Sequence, residues 1–170
     1  AILAPISIIG AVLHIAAHAI GKITLFFAAG SIYTAAHKTE ISQLNGIGRK
    51  MPWTMGAFSI ASLSMIGIPP TVGFISKWYI LMGAIQSEQI FAIAVIILST
   101  LLNAGYFVPI IYCSFFKAVD NGDDKNQVTN DHGEAPLPIV IALTITAGGT
   151  VILFFFADLP LGLAKLIVNL

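Results

Sequence analysis

PWTMGAFSIASLSMIGIPPTVGFISKWYILMGAIQ, residues 52–86, is apolar nearly throughout and is cut near its middle by Gly67-Ile68-Pro69-Pro70. Two prolines remove two backbone donors, and their rings clash with the preceding turn. The residue before a proline also leaves the helical region. A helix entering this segment must therefore break. Either the two halves are separate membrane spans, or they form one discontinuous span. The cations help to decide. With one discontinuous span, Lys38, Arg49, Lys50, Lys117 and Lys125 fall on one side of the membrane and only Lys165 on the other. With two spans the split is four against two. The positive-inside bias favours the discontinuous span. IPPT also lacks the polar residues of a water-exposed loop, and irregular backbone at depth is tolerated where it is buried in protein or lines a wet cavity. The objection is length, which would require a strong tilt.

The rest of the chain has the same character. It is 57% hydrophobic and 9% charged, with a mean hydropathy of +0.92, whereas a soluble domain carries roughly 25% charged residues. This is the composition of an integral membrane protein. Net charge is zero, so a nucleic-acid partner has no electrostatic footprint. The single cysteine, Cys113, excludes an internal disulfide, and CxxC pairs are absent. The chain opens at Ala1 in apolar sequence without a basic n-region, which does not read as a signal peptide. A fragment of a longer polytopic protein is expected.

A first apolar block covers residues 5–36, longer than the ~30 Å hydrocarbon core requires at ~1.5 Å per residue. It must tilt, kink or protrude, with Gly10, Gly21 and Gly30 as weak points. The polar linker 37–50 carries Ile41, Leu44 and Ile47 at a spacing that suits a short amphipathic turn on the membrane surface. After residues 52–86 comes a block at 89–116 containing Asn103 and Pro109, where a kink is expected. Residues 118–136 are charged and rich in turn formers, and read as an exposed loop. Residues 138–156 form a clean span whose Gly148-Gly149 pair allows close helix contact. The tail resembles a short interfacial helix. The expected division is a transporter domain over 1–117, a polar loop over 118–136, and a terminal helix with its tail over 137–170. The fold class is all-α, a polytopic membrane helix bundle with a helix broken at Gly67, Pro69 and Pro70.

Inside this apolar frame lie four costly side chains: His14, His18, Lys22 and Lys77. An intramembrane ionisable residue points to function by default. His14, His18 and Lys22 stand at i, i+4 and i+8, along one slightly drifting helix face with ~6 Å of rise per step. That gap suits side chains bridged by water. Histidine accepts on one nitrogen and donates on the other. Two histidines leading to a lysine can serve as a proton wire, and the lysine can store the proton because desolvation disfavours its charge. Lys77 follows the break by about two turns. Broken helices at bilayer depth are a frequent construction of transporter sites.

Each residue also has a plainer reading. His14 and His18 could bridge two helices by hydrogen bonds. Lys22 could snorkel to the interface, although over ten apolar or small residues flank it on each side. Lys77 could be structural. His37, Lys38 and Glu40 read as surface residues, with His37 able to receive a proton at the mouth of a wire. Glu88 reads as interfacial and His132 as a loop residue. Ser59, Ser62, Ser64 and Thr71 could line a wet path, but such residues at helix interfaces are ordinary.

LHIAAHAIGKITLFFAAG (residues 13–30) and LNGIGRKMPWTMGAFSIASLSMIGIPPTVGFISKWYILMGAI (residues 44–85) carry a resemblance. The ordered motifs HxxxHxxxK, GxxRKMP and GxPPTxGFxxK resemble the antiporter-like proton-conducting membrane transporters. These include the D-type component of multisubunit Mrp Na+/H+ antiporters and the homologous large membrane subunits of respiratory complex I and membrane-bound hydrogenases. The match covers roughly residues 5–117, the second half of the family's transporter domain. The resemblance implies that Lys77 is the ionisable residue of the family's second discontinuous helix, near one end of the proton path. It implies that His14, His18 and Lys22 belong to the central hydrophilic axis. The family's first-half glutamate and lysine pair is not in this chain, so this segment alone is not expected to transport. The break segment is more similar to the antiporter D-type branch than to the complex I branch.

The function so implied is proton and cation translocation in a multisubunit antiporter of the bacterial inner membrane. The expected partners are other membrane subunits, the missing half of the same polypeptide, protons and Na+. No cofactor is expected, and the chain is not expected to be an enzyme in itself. The alternative is a proton-pumping subunit of complex I or a membrane-bound hydrogenase. A remoter one is a membrane metalloenzyme of the histidine-box type, since HxxxH is one such box. That reading needs more histidines than four, and Lys22 would repel a metal. The last is a purely structural role, with helices that pack partners and conduct nothing.

Overall fold

A computed structural model describes residue 2, residues 4–118 and residues 133–168. It is an all-α bundle: α1 (Pro5–Ala36), a 3₁₀ turn (Ile41–Leu44), α2 (Ile47–Lys50), α3 (Pro52–Ile66), α4 (Val72–Gln86), α5 (Ile90–Phe116), α6 (Leu137–Phe155) and α7 (Asp158–Val168). Most of the expected loop 118–136, together with Lys125 and His132, lies outside the described residues.

The break falls where the prolines require it. Gly67 caps α3 in the left-handed conformation at φ 89°, and α4 resumes after Thr71. At 1.5 Å per residue, each 15-residue half is ~22 Å long. Neither alone reaches across a ~30 Å core. Their packing on α1 shows how they are joined. Gly83 of α4 lies against Ser7, and Gly10 against Ile80. His14 meets Ser76, Gly21 faces Met65 of α3, and Ile32 packs with Met51 and Met55. As α1 rises, its partners run backwards through α4 and then through α3. The two halves are therefore stacked end to end as one discontinuous span antiparallel to α1. The length objection resolves because α1, at 32 residues, is nearly as long as the stretch 52–86 that packs along it.

The third and fourth spans complete an up-and-down bundle. On α5, Thr100 bonds Lys77, Phe107 meets Phe58, and the Cys113 carbonyl takes the Gly46 amide, so α5 runs parallel to α1. Just before α6, Ala135 joins the cluster of Ile47, Met51 and Met55, and on α6 Leu143 and Ala147 pack on Ala57, so α6 runs beside α3. Helix α7 returns to the start of α1, where Ala164 is buried with Ile9 and Leu13. Lys38, Arg49, Lys50 and Lys117 lie at the linker end of the bundle, and Lys165 at the other.

Lipid tails are as apolar as leucine, so helices in a membrane associate through close packing and polar contacts. The buried face of α1 reflects this. Ser7, Gly10, Ala17, Gly21, Thr24, Ala28 and Ser31 are all small and all buried. With His14 they follow spacings of three and four, the seam of an antiparallel helix pair. Gly10 and Gly21 are thus contact points in an unbroken helix, whereas a Cβ on Gly30 meets nothing within 4 Å. Gly148 and Gly149 do not make the expected close contact, since a Cβ on either also meets nothing within 4 Å. Close approach occurs instead at Gly73, where a methyl group would overlap the Ser64 carbonyl oxygen, and at Gly83, where it would overlap Ser7 Oγ. The linker is only partly a surface turn: Ile41 is 59% exposed, but Ile47 is 1% exposed and joins the core.

Glu134 closes the α3 N-terminus across the sequence. Its carboxylate accepts the Trp53 amide at 2.6 Å, the Thr54 amide at 3.4 Å and the Thr54 hydroxyl at 2.7 Å. It satisfies donors that the helix leaves free, and places negative charge at the positive end of the dipole.

Candidate functional site at the helix break

Lys77, early in α4, points back across the break rather than forward along its own helix. Lys77 Nζ donates to the carbonyl oxygens of Met65 at 3.0 Å and Ile66 at 2.8 Å, and lies 3.3 Å from Thr100 Oγ1. Those carbonyls end α3 and have no intrahelical donor, because the chain turns away at Gly67 and the prolines carry no N–H. The C-terminus of a helix carries partial negative charge, which suits an ammonium. The absence of a side chain on Gly67 makes the path possible. A Cβ there would meet Lys77 Cδ at 2.8 Å.

His14 stands on the other wall of the same space. A cleft of about 180 Å³ is lined by His14, Lys77, Ile80, Val95, Ile96 and Ser99. His14 Nδ1 lies 3.0 Å from Ser76 Oγ, and the Ser76 hydroxyl donates to the Gly73 carbonyl at 3.0 Å. With that proton committed, Ser76 Oγ accepts from His14 Nδ1–H. The neutral imidazole then keeps Nε2 as its acceptor. Ser76 thus ties the histidine to the start of α4.

His18 follows one turn later, half-buried, its ring centroid 5.7 Å from that of His14. Lys22 is different. It is exposed on the surface of the bundle and makes no hydrogen bond or ion pair among the described residues. Each i+4 step rotates the ladder by about 40°, away from a seam that repeats every 3.5 residues. His14 lies in the seam, His18 beside it and Lys22 outside it. Two of the ladder's three members are adjacent, and Lys22 faces outward. His37 caps the far end of α1 in the left-handed conformation, packed edge-on to Tyr33 at 5.9 Å. It is ~28 Å of helix from His18 and is not brought to the site.

Three residues of α5 belong to this site although nothing in the apolar sequence around them pointed there. Besides Thr100, Asn103 Nδ2 donates to the Met65 carbonyl at 3.3 Å, and the Tyr106 hydroxyl donates to Asn103 Oδ1 at 3.0 Å. Their spacing of three, in the middle of a predominantly apolar helix, is the signal that could have marked them. Of the serines considered for a wet path, Ser59 returns its proton to the Met55 carbonyl. The Ser62 hydroxyl is buried without a partner among the described residues.

A broken span with an ionisable side chain held at the break defines a class of construction found in ion-moving membrane proteins. The chain belongs to the NADH:quinone oxidoreductase/Mrp antiporter transmembrane family, which it matches over residues 1–103. It is 36% identical over 159 residues to the N subunit of the NADH-quinone oxidoreductase of Desulforudis audaxviator, covering 90% of this chain and 32% of that protein. It is 32% identical over 148 residues to the D subunit of the Na(+)/H(+) antiporter of Alkalihalophilus pseudofirmus, covering 84% and 29%. Its fold matches a chain of the Mrp complex from Dietzia sp. with a TM-score of 0.84 at 20% identity, over 98% of this chain and 38% of the other. The chain therefore spans about a third of the length of these relatives. It is an integral membrane protein.

Proposed function

We propose that this chain is the later part of a proton-translocating subunit of a monovalent cation/proton antiporter in the bacterial inner membrane. One observation carries the reading: Lys77, at mid-span, is held by carbonyls freed at the break and shares a cleft with His14. In this reading Lys77 is the gate, and His14, His18 and Lys22 belong to the axis that feeds it. The cleft has room for several water molecules, enough to carry a proton between Lys77 and His14. Lys22, exposed here, meets its partner in the preceding part of the same polypeptide or in a neighbouring membrane subunit. Residues 1–117 act as one transporter unit, and 137–170 as a terminal helix with its tail. The exchanged cation is Na+.

The test is Lys77→Ala in the full-length protein, assembled with its partners. In inverted vesicles the variant should lose Na+-driven proton exchange when the rate is expressed per assembled complex. Wild-type exchange would remove Lys77 from the mechanism.

The similarity to an N subunit of NADH-quinone oxidoreductase supports a second reading, a proton-pumping subunit of a respiratory oxidoreductase. The same vesicles separate the two. Antiport responds to added Na+ without an electron donor, whereas the pump acidifies only when an electron donor is supplied.

A further inference from the structure

The Met65 carbonyl accepts two donors. Lys77 Nζ reaches it at 3.0 Å from α4, and Asn103 Nδ2 at 3.3 Å from α5. A carbonyl oxygen has two lone pairs, so the bonds coexist. Turning the Asn103 amide over would set Oδ1 against the Met65 carbonyl oxygen and give up the bond that the Tyr106 hydroxyl donates to Oδ1 at 3.0 Å. Thr100, Asn103 and Tyr106 thus form one polar strip on α5 facing the break.

We propose that Asn103 is a positioning residue for Lys77: with Tyr106 locking its amide, it keeps the Met65 carbonyl aimed at the lysine while the lysine releases and regains its proton. This inference rests on the transport reading above. When Lys77 gives up its proton or swings into the cleft, the carbonyls of Met65 and Ile66 lose their cationic donor. An acceptor left unsatisfied in a low-dielectric interior is costly and tends to reorient. Asn103 is uncharged and stays bound throughout, so Met65 O remains in place for the returning ammonium. The other ionisable groups near Lys77 are few. His14 faces it from α1 across the cleft, and Tyr106 lies behind Asn103 on α5. On α4 itself, Tyr79 packs away against the Ile9 and Leu13 cluster. Helices α3 and α6 carry no ionisable residue.

The experiment uses the full-length protein in its assembled complex, with proton translocation in inverted vesicles measured across pH. Asn103→Leu should lower the rate about fivefold, through partial loss of a charge-assisted contact. It should also move the pH profile toward acid by about half a unit, because a loosened carbonyl holds the ammonium less firmly. Tyr106→Phe, which removes one hydroxyl, should move the profile the same way by less. A wild-type profile in both variants overturns the proposal, as does a lower rate with an unmoved profile. If Asn103→Leu does not assemble, Tyr106→Phe decides. Lys77→Ala serves as the reference. If it transports normally, the transport reading fails. If it is inactive while both α5 variants behave as wild type, only the role of Asn103 fails.

Discussion

Lys77 Nζ lies 2.8 Å from the carbonyl oxygen of Ile66, eleven residues earlier and on the far side of the helix break. The relationship works in both directions. The break leaves acceptors that hold an ammonium, and the ammonium satisfies acceptors that the break would strand. One side chain thereby serves the fold and the proposed chemistry together.

Replacing Lys77 should therefore cost stability as well as transport. Lys77→Met leaves the Ile66 carbonyl without its cationic donor and the Met65 carbonyl with Asn103 alone. Loss of these bonds should destabilise the assembled protein by about 2–4 kcal/mol. Lys77→Arg should retain most of it. Thermal unfolding of the purified complex measures the difference, and equal midpoints for Lys77→Met and wild type would contradict the account.

Gly67 is sensitive for two separate reasons. Its φ of 89° is unfavourable for a side chain, and a Cβ would press on Lys77 Cδ. Gly67→Ala should cost about 1 kcal/mol of backbone strain and displace the lysine arm, lowering transport several-fold in complexes that still assemble. Gly30→Ala, with nothing within 4 Å, is the matched control and should behave as wild type.

Ser76→Ala removes the tie between His14 and the start of α4. The loss of one hydrogen bond should cost about 1 kcal/mol. The larger effect should fall on transport, since His14 is freed to change tautomer and orientation. Isotope-labelled imidazole resonances in the two proteins report the tautomer. An unchanged spectrum would show that Ser76 does not set it.

Glu134 acts far from the break. Glu134→Ala should destabilise the protein by about 1 kcal/mol through loss of the α3 cap. Glu134→Gln should recover part of this, because its carbonyl oxygen still accepts. Proton transport per assembled complex should not change, and a selective loss of transport would assign Glu134 a further role.

The broken span was legible in residues 52–86 because proline has no alternative there, and the cation distribution supported its topology. The ladder was legible as a set of costly side chains, but its geometry was only half readable. Spacing by four shows that three residues share a helix face roughly. It does not show where that face meets its neighbour. The small-residue seam of α1 carries that information, and it places His14 inside and Lys22 outside. The direction of the Lys77 side chain was not legible either. Sequence position relates it to the start of α4, whereas its long arm reaches the end of α3. Glu134 was hidden for a similar reason: its partners, Trp53 and Thr54, lie some eighty residues away, and one more acidic residue within the charged stretch 118–136 carries no pattern.

Helix α1 passes the break without interruption and grips both halves, through Gly10 and Ser7 on one side and Gly21 and Ile32 on the other. It behaves as a splint on a fracture. The ends of α3 and α4 are both packed on one continuous helix, which sets their register across the gap. The four-carbon arm of Lys77 is the longest flexible group at that depth, and it bridges the gap that α1 spans from outside. A gate built this way would work through the swing of one side chain, with its backbone already set.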